Sequence, residues 1–128
     1  MSEPIFLTLE QVEELHRRAL EQHGGQDGIR DQWALESAVI HPRNVFYYAQ
    51  GDLFDVAAAY AFHLAESQAF LDGNKRTGMA AALVFLRLNS VTVSKATDEL
   101  YAAMIAIAGH RIGKPELASL LRRLGGPG

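Results

Sequence analysis

From Gly78 to Leu88 the chain is apolar except for Arg87 and holds no proline, the pattern of a helix buried on most sides. A second strong period runs upstream. Leu53, Val56, Tyr60 and Leu64 share one face, and Phe54, Ala57, Ala61 and Ala65 fall beside it. That apolar arc is wide, and its alanines let neighbouring helices come close, so this reads as a central helix from the cap at Asp52 to about Ser67. The two helices predict a hairpin with residues 68–77 at its tip.

The flanking elements carry narrower stripes. Thr8 and Gln11 fit a capping box, with Leu7 and Val12 as its hydrophobic staple. Leu9, Val12, Leu15 and Ala19 then make one face, and Gly24-Gly25 stops the helix. His16 and His23 lack metal-ligand spacing and are expected at the surface. Asp31 caps a second helix whose buried side is Leu35, Ala38 and Val39. Pro42 predicts its end or a kink, because it disfavours helical backbone at His41. Residues 43–50, with Phe46, Tyr47 and Tyr48, read equally as a short helix or an extended flap. Val91-Thr92-Val93 reads as a short extended segment. Thr97 caps a helix buried through Leu100, Met104 and Ile107 and closed by Gly109. Pro115 and Glu116 open a last helix with Leu117, Leu120, Leu121 and Leu124 at helical spacing. No run alternates long enough to build a sheet. The expected fold is all-α, a single domain over residues 1–128 of about six helices, with residues 1–6 and 125–128 frayed.

Composition narrows the function without naming it. A chain of 128 residues suits one self-sufficient core. It has no cysteine, which excludes disulfides and Cys–zinc sites and fits a reducing cytoplasm. A formal net charge of −3 argues against a nucleic-acid binder that works through basic charge. Met1-Ser2-Glu3-Pro4 is unlike a secretory leader, and no apolar run is long enough for a membrane span. His63 and Glu66, spaced i, i+3, lack the second pair that a metal site needs.

Chemistry concentrates at the tip of the hairpin, Gln68-Ala69-Phe70-Leu71-Asp72-Gly73-Asn74-Lys75-Arg76-Thr77. With Asn74 as N-cap, Lys75 and Arg76 occupy the first turn of the buried helix. A helix start already carries partial positive charge, so two cations there are unfavourable. They make sense if an anion belongs between them, held also by the free backbone N–H groups. Gly73 removes a Cβ where backbone would approach that ligand. The competing reading has both cations in solvent, paired with Asp72. The string is not a Walker A loop, since the Gly-Lys-Ser/Thr spacing is missing.

Phe70 to Thr77 resembles the core motif of the Fic/Doc family, His-x-Phe-x-Asp/Asn-Gly/Ala-Asn-Gly/Lys-Arg. Gly24 to Asp31 followed by Leu35-Glu36-Ser37-Ala38 resembles the amino-terminal signature of its Doc branch, and the likeness extends from Leu7 to Leu124. It implies transfer of a phosphate-containing group from a nucleotide to a protein hydroxyl. Most Fic proteins transfer AMP; Doc-type toxins phosphorylate a threonine of translation elongation factor Tu. Relatives that transfer AMP usually have Gly where this chain has Lys75, which is the Doc choice and favours γ-phosphoryl transfer from ATP. By the same resemblance, Lys75 and Arg76 hold phosphates, Asp72 binds Mg²⁺, Asn74 contacts phosphate or caps the helix, and Phe70 anchors the loop. The implied partner is a small antitoxin whose disordered tail folds on binding.

One position departs from the motif. Gln68 stands where the family has its general-base His. An amide does not titrate near neutral pH, and loss of such a base costs roughly 10²–10⁴-fold in rate. Neither His63 nor Glu66 is placed to replace it. Gln68 is then a natural variant with lost or altered chemistry, or an introduced substitution; the otherwise complete motif favours a recent or deliberate change. AMP transfer and a non-catalytic nucleotide- or antitoxin-binding module remain the alternatives.

Overall fold

In the computed structural model, which describes residues 3–93 and 97–125, helices start where a side chain closes the first turn. Thr8 and Gln11 form the reciprocal box that opens α1, Leu9–His23. The Asp31 carboxylate accepts from Ala34 N to open α2, Gln32–Tyr47. Asp52 and Asp55 cap α3, Leu53–Ser67, in a second reciprocal box. α4 spans Asn74–Leu88, α5 Thr97–Ala108 and α6 Lys114–Gly125. The start of α6 is closed by Glu116, which accepts from Gly113 N. The Thr97 side chain and residues 126–128, where a cap and a frayed end were expected, lie outside the described residues. Among the described residues there is no strand, only an isolated antiparallel bridge between Ile29 and Phe70. The fold is all-α, as the periodicity predicts.

α3 is the axis. Val56, Ala57, Ala59, Tyr60, Ala61 and Leu64 on it are fully buried, and it packs against α2, α4, α5 and α6. Fully burying a large apolar side chain contributes roughly 1.5–3 kcal/mol, so a helix covered on all sides anchors the rest. The buried Tyr60 hydroxyl accepts from Leu7 N at 2.9 Å, which satisfies its polar end. At Gly78 of α4 an added Cβ would stand 2.7 Å from the Ala61 carbonyl oxygen of α3. The small-residue stripe on α3 therefore sets how near the site-bearing helix lies.

One expectation changes and an open alternative is resolved. Pro42 neither ends nor breaks α2; it sits buried inside the helix, which continues to Tyr47. Its missing N–H removes one ladder bond, and burial of its ring against the core offsets that loss. Residues 43–47 are thus the last turns of α2, not a flap: Phe46 packs against the core while Tyr48 stays 84% exposed. Val91 N bonds Leu86 O and closes the end of α4, and Val91 to Val93 lie in neither a helix nor a strand. At the amino end Ile5 N donates to Asn89 Oδ1 and Asn89 Nδ2 donates to Ile5 O, at 2.8 and 3.0 Å. No described helix is long and apolar enough to cross a membrane.

Candidate active site

The hairpin tip is built by backbone constraints on both sides. α3 ends at Gln68, which adopts left-handed backbone, φ 50° and ψ 45°. The chain then turns through buried Ala69 and Phe70. Asn74 grips this turn from below: its Oδ1 accepts from Phe70 N at 3.0 Å and its Nδ2 donates to Phe70 O at 2.9 Å. Asn74 is therefore not the N-cap that its residue type suggests. Gly73 holds that position at φ 81°, and no side chain caps the helix. The positive φ is why glycine is required there. One donor and one acceptor of Asn74 go to shaping the loop.

An uncapped start leaves the first backbone N–H groups of α4 without partners. Lys75 and Arg76 lie in that turn, half-buried. Neither forms an ion pair with Asp72 or with any other described carboxylate, so the pairing half of the competing reading is absent. Arg76 is steered by neutral groups instead. Its guanidinium lies 4.2 Å from the Tyr101 ring centre, and its Nη1 is 3.2 Å from His23 Nε2. Arginine can only donate, so His23 Nε2 is the acceptor. Arg76 lines a cleft of about 330 Å³ together with His23, Asp72, Asn74, Lys75, Tyr101 and the adjacent glycines. A depression of similar size, about 310 Å³, runs along α2 beside Trp33, Ile40 and His41. All of its lining residues belong to that one helix, and it gathers no cluster of cations.

Two histidines reach this region that sequence reasoning left at the surface. His23 does stay exposed, but on the cleft wall. His16 is 4% exposed, a correction to the surface expectation. Its ring stacks on Phe70 with centroids 3.7 Å apart and planes 7° apart. Its Nε2 donates to Asp72 O at 2.8 Å. A signal for His16 was present, since positions 12, 16 and 19 share one helical face. Phe70 is itself buried, with His16 as its stacking partner.

The Asp72 side chain is exposed, and its Oδ2 accepts from Gln26 N at 2.7 Å. Gln68 is exposed on its turn and does not line the cleft. Ser67 Oγ and Thr77 Oγ1, which flank the loop, are buried without a hydrogen-bond partner. Such losses are tolerated where a segment is shaped for something besides stability. The assembly offers open amides, two cations and one carboxylate around a cavity, a chemistry suited to phosphate groups.

The comparisons with known proteins agree with this geometry. The family model described as Fic/DOC family matches residues 6–86, which include the whole hairpin tip. The chain is 35% identical over 118 residues to a protein of Escherichia phage P1 named protein kinase doc, covering 91% of this chain and 93% of that protein. It is 42% identical over 77 residues to a protein of Mycolicibacterium smegmatis named toxin Doc, covering 59% of each. A cradle of this composition on a helical hairpin, within a family match over most of the chain, means that the protein belongs to the Fic/Doc family.

Proposed function

We propose that this protein is a Doc-type toxin of a toxin–antitoxin module, built to move the γ-phosphoryl group of ATP onto a Ser or Thr hydroxyl of a protein. The expected target is translation elongation factor Tu, in the cytoplasm, with arrest of translation as the result. The observation that carries the reading is the pair Lys75 and Arg76 in the uncapped first turn of α4, ion-paired to no described carboxylate. The relatives' names, a protein kinase and a toxin, support the same reading.

The residues divide the work. Lys75, Arg76 and the open amides hold the phosphates and neutralise charge that develops as the γ-phosphoryl moves. Tyr101 and His23 keep the Arg76 fork in place without cancelling its charge. Asp72 fits Mg²⁺, which suits one carboxylate combined with phosphate oxygens and water; its Oδ1 accepts no described hydrogen bond, whereas Oδ2 is fixed by Gln26 N. Bound there, the ion would supply further charge neutralisation. The hydroxyl oxygen attacks the γ-phosphorus, the bond to the β-bridging oxygen breaks, and ADP leaves. The hydroxyl proton needs an acceptor, and the Gln68 amide is not one. This copy is therefore attenuated by roughly 10²–10⁴-fold relative to one with an imidazole at that position.

The test is Gln68→His, incubated with elongation factor Tu and ATP labelled at either the γ or the α position. Label from γ-ATP, lost in the unaltered chain, is the expected result. Label from the α position alone would make the chemistry AMP transfer. No label, together with no binding of ATP and Mg²⁺ by calorimetry, would leave a non-catalytic module, the reading that Gln68 itself favours. The partner in the module is a small antitoxin with a disordered tail that folds on binding; failure to bind the product of an adjacent small gene would count against it.

A further inference from the structure

The carboxyl end of α3 is capped from a distant loop. α1, α2 and α4 each finish on a backbone N–H of the cap residue that bonds into the preceding turn. Among the described hydrogen bonds none runs from Gln68 or Ala69 back into α3. Instead Arg30 donates Nε to Gln68 O at 2.7 Å and Nη2 to Ser67 O at 3.0 Å. Ala69 O accepts the backbone N–H groups of Arg30 and Asp31 at 2.7 and 3.0 Å. Three successive carbonyls are thus held by one residue and its neighbour.

The chemistry fits the task. A helix end leaves carbonyls unsatisfied and carries partial negative charge, so a cation belongs there. The planar guanidinium fork spans two carbonyls at once; a lysine ammonium is a single point. What the fork holds is an unfavourable conformation. Residue 68 is left-handed at φ 50°, a region that glycine usually fills at helix ends and that costs other residues energy. The backbone angles at residue 68 fix where its side chain can point, and this is the motif position from which the family's proton acceptor would reach the substrate.

We propose that Arg30 is the positioning residue for position 68: its two side-chain bonds lock the left-handed turn and so set the direction of that side chain. The effect on rate rests on the phosphoryl-transfer reading above; the effect on the turn does not. The amides of Arg30 and Asp31 hold Ala69 independently of the side chain, so the phosphate cradle survives loss of the guanidinium.

The experiment has two arms. In the unaltered chain, Arg30→Ala is compared by NMR, through the HN–Hα coupling and Cα shift of residue 68, and by calorimetry with ATP and Mg²⁺. The expected outcome is loss of the left-handed signature at residue 68 with nucleotide affinity unchanged. Retention of that signature overturns the proposal whatever happens to activity. In the Gln68→His background, Arg30→Ala lowers kcat by roughly tenfold or more, since small misplacement of a reacting group is costly, and leaves the KM for ATP unchanged. An unchanged kcat, or a loss confined to KM, overturns it. Arg30→Lys, which keeps one carbonyl bond, falls between in both arms and decides the matter should Arg30→Ala fail to fold. If Gln68→His itself transfers no label, the proposed function fails, and the first arm still decides the role of Arg30.

Discussion

Lys75 and Arg76 occupy the one place on α4 where helix electrostatics opposes them, and no described carboxylate offsets them. Removing them tests function and stability in opposite directions. Charge-assisted hydrogen bonds are worth about 1.5–3 kcal/mol each, so Lys75→Ala with Arg76→Ala should weaken ATP binding by at least roughly 100-fold, read by calorimetry. The same double variant should melt no lower than the parent, because cations at a helix start cost about 0.3–1 kcal/mol. Affinity that survived both changes would remove the basis of the cradle. Residue type alone misled at two positions nearby. Asn74 looks like a cap because its side chain prefers such sites, but its amide has two better partners in Phe70 N and O. His16 looks polar, yet a flat ring with one donor suits the slot between Phe70 and Asp72 O.

At the level of elements, the distance between α3 and α4 decides whether the site exists in this form. Gly78 sits mid-helix, where glycine normally costs about 1 kcal/mol relative to alanine. On propensity alone Gly78→Ala would stabilise. The added Cβ, however, meets a backbone carbonyl at 2.7 Å, and backbone cannot rotate away as a side chain can. Overpacking of this kind costs about 1–3 kcal/mol, which outweighs the propensity gain at its upper end. We expect a lower Tm, by a few degrees, in thermal melts followed by circular dichroism; a higher Tm would show that propensity wins. α2 illustrates the reverse competition. Proline chemistry predicts a stop at Pro42, but the aromatic and aliphatic side chains beyond it have a core to join, and tertiary packing overrides the local penalty.

For the whole molecule, a cluster of two imidazoles and an ammonium ties three helices together. His41 of α2, His63 of α3 and Lys114 of α6 meet, with Lys114 Nζ 3.4 Å from His41 Nε2 and 3.1 Å from His63 Nε2. The ammonium donates to both rings, so both are neutral acceptors. Burial, then the charges of His41 and Lys114, pushes the His63 pKa down from 6.5 to about 4. Burial and Lys114 lower His41 as well. The unfolded chain therefore binds more protons than the folded one between these values. Stability is fully present above about pH 6.5 and declines as pH falls towards 4. Denaturant unfolding across that window should show the decline, and His63→Gln should flatten it; an equal slope in the variant would place its origin elsewhere.

Periodicity, caps and composition by themselves determine that this chain is all-α, which helices are buried, and that two cations crowd the start of one of them. Those are local properties: capping boxes at Thr8 and Asp52, apolar stripes, and the string from Gln68 to Thr77 all lie within a few turns of sequence. The surroundings of the site are decided by tertiary structure alone. His16, His23, Gln26, Arg30 and Tyr101 come from α1, the following loop and α5, and no spacing in the sequence measures their distance from Asp72, Gln68 or Arg76. That distance is fixed by how closely α3 accepts its neighbours, through Gly78 against Ala61, and packing of that kind is a property of side chains brought together from far apart in the chain.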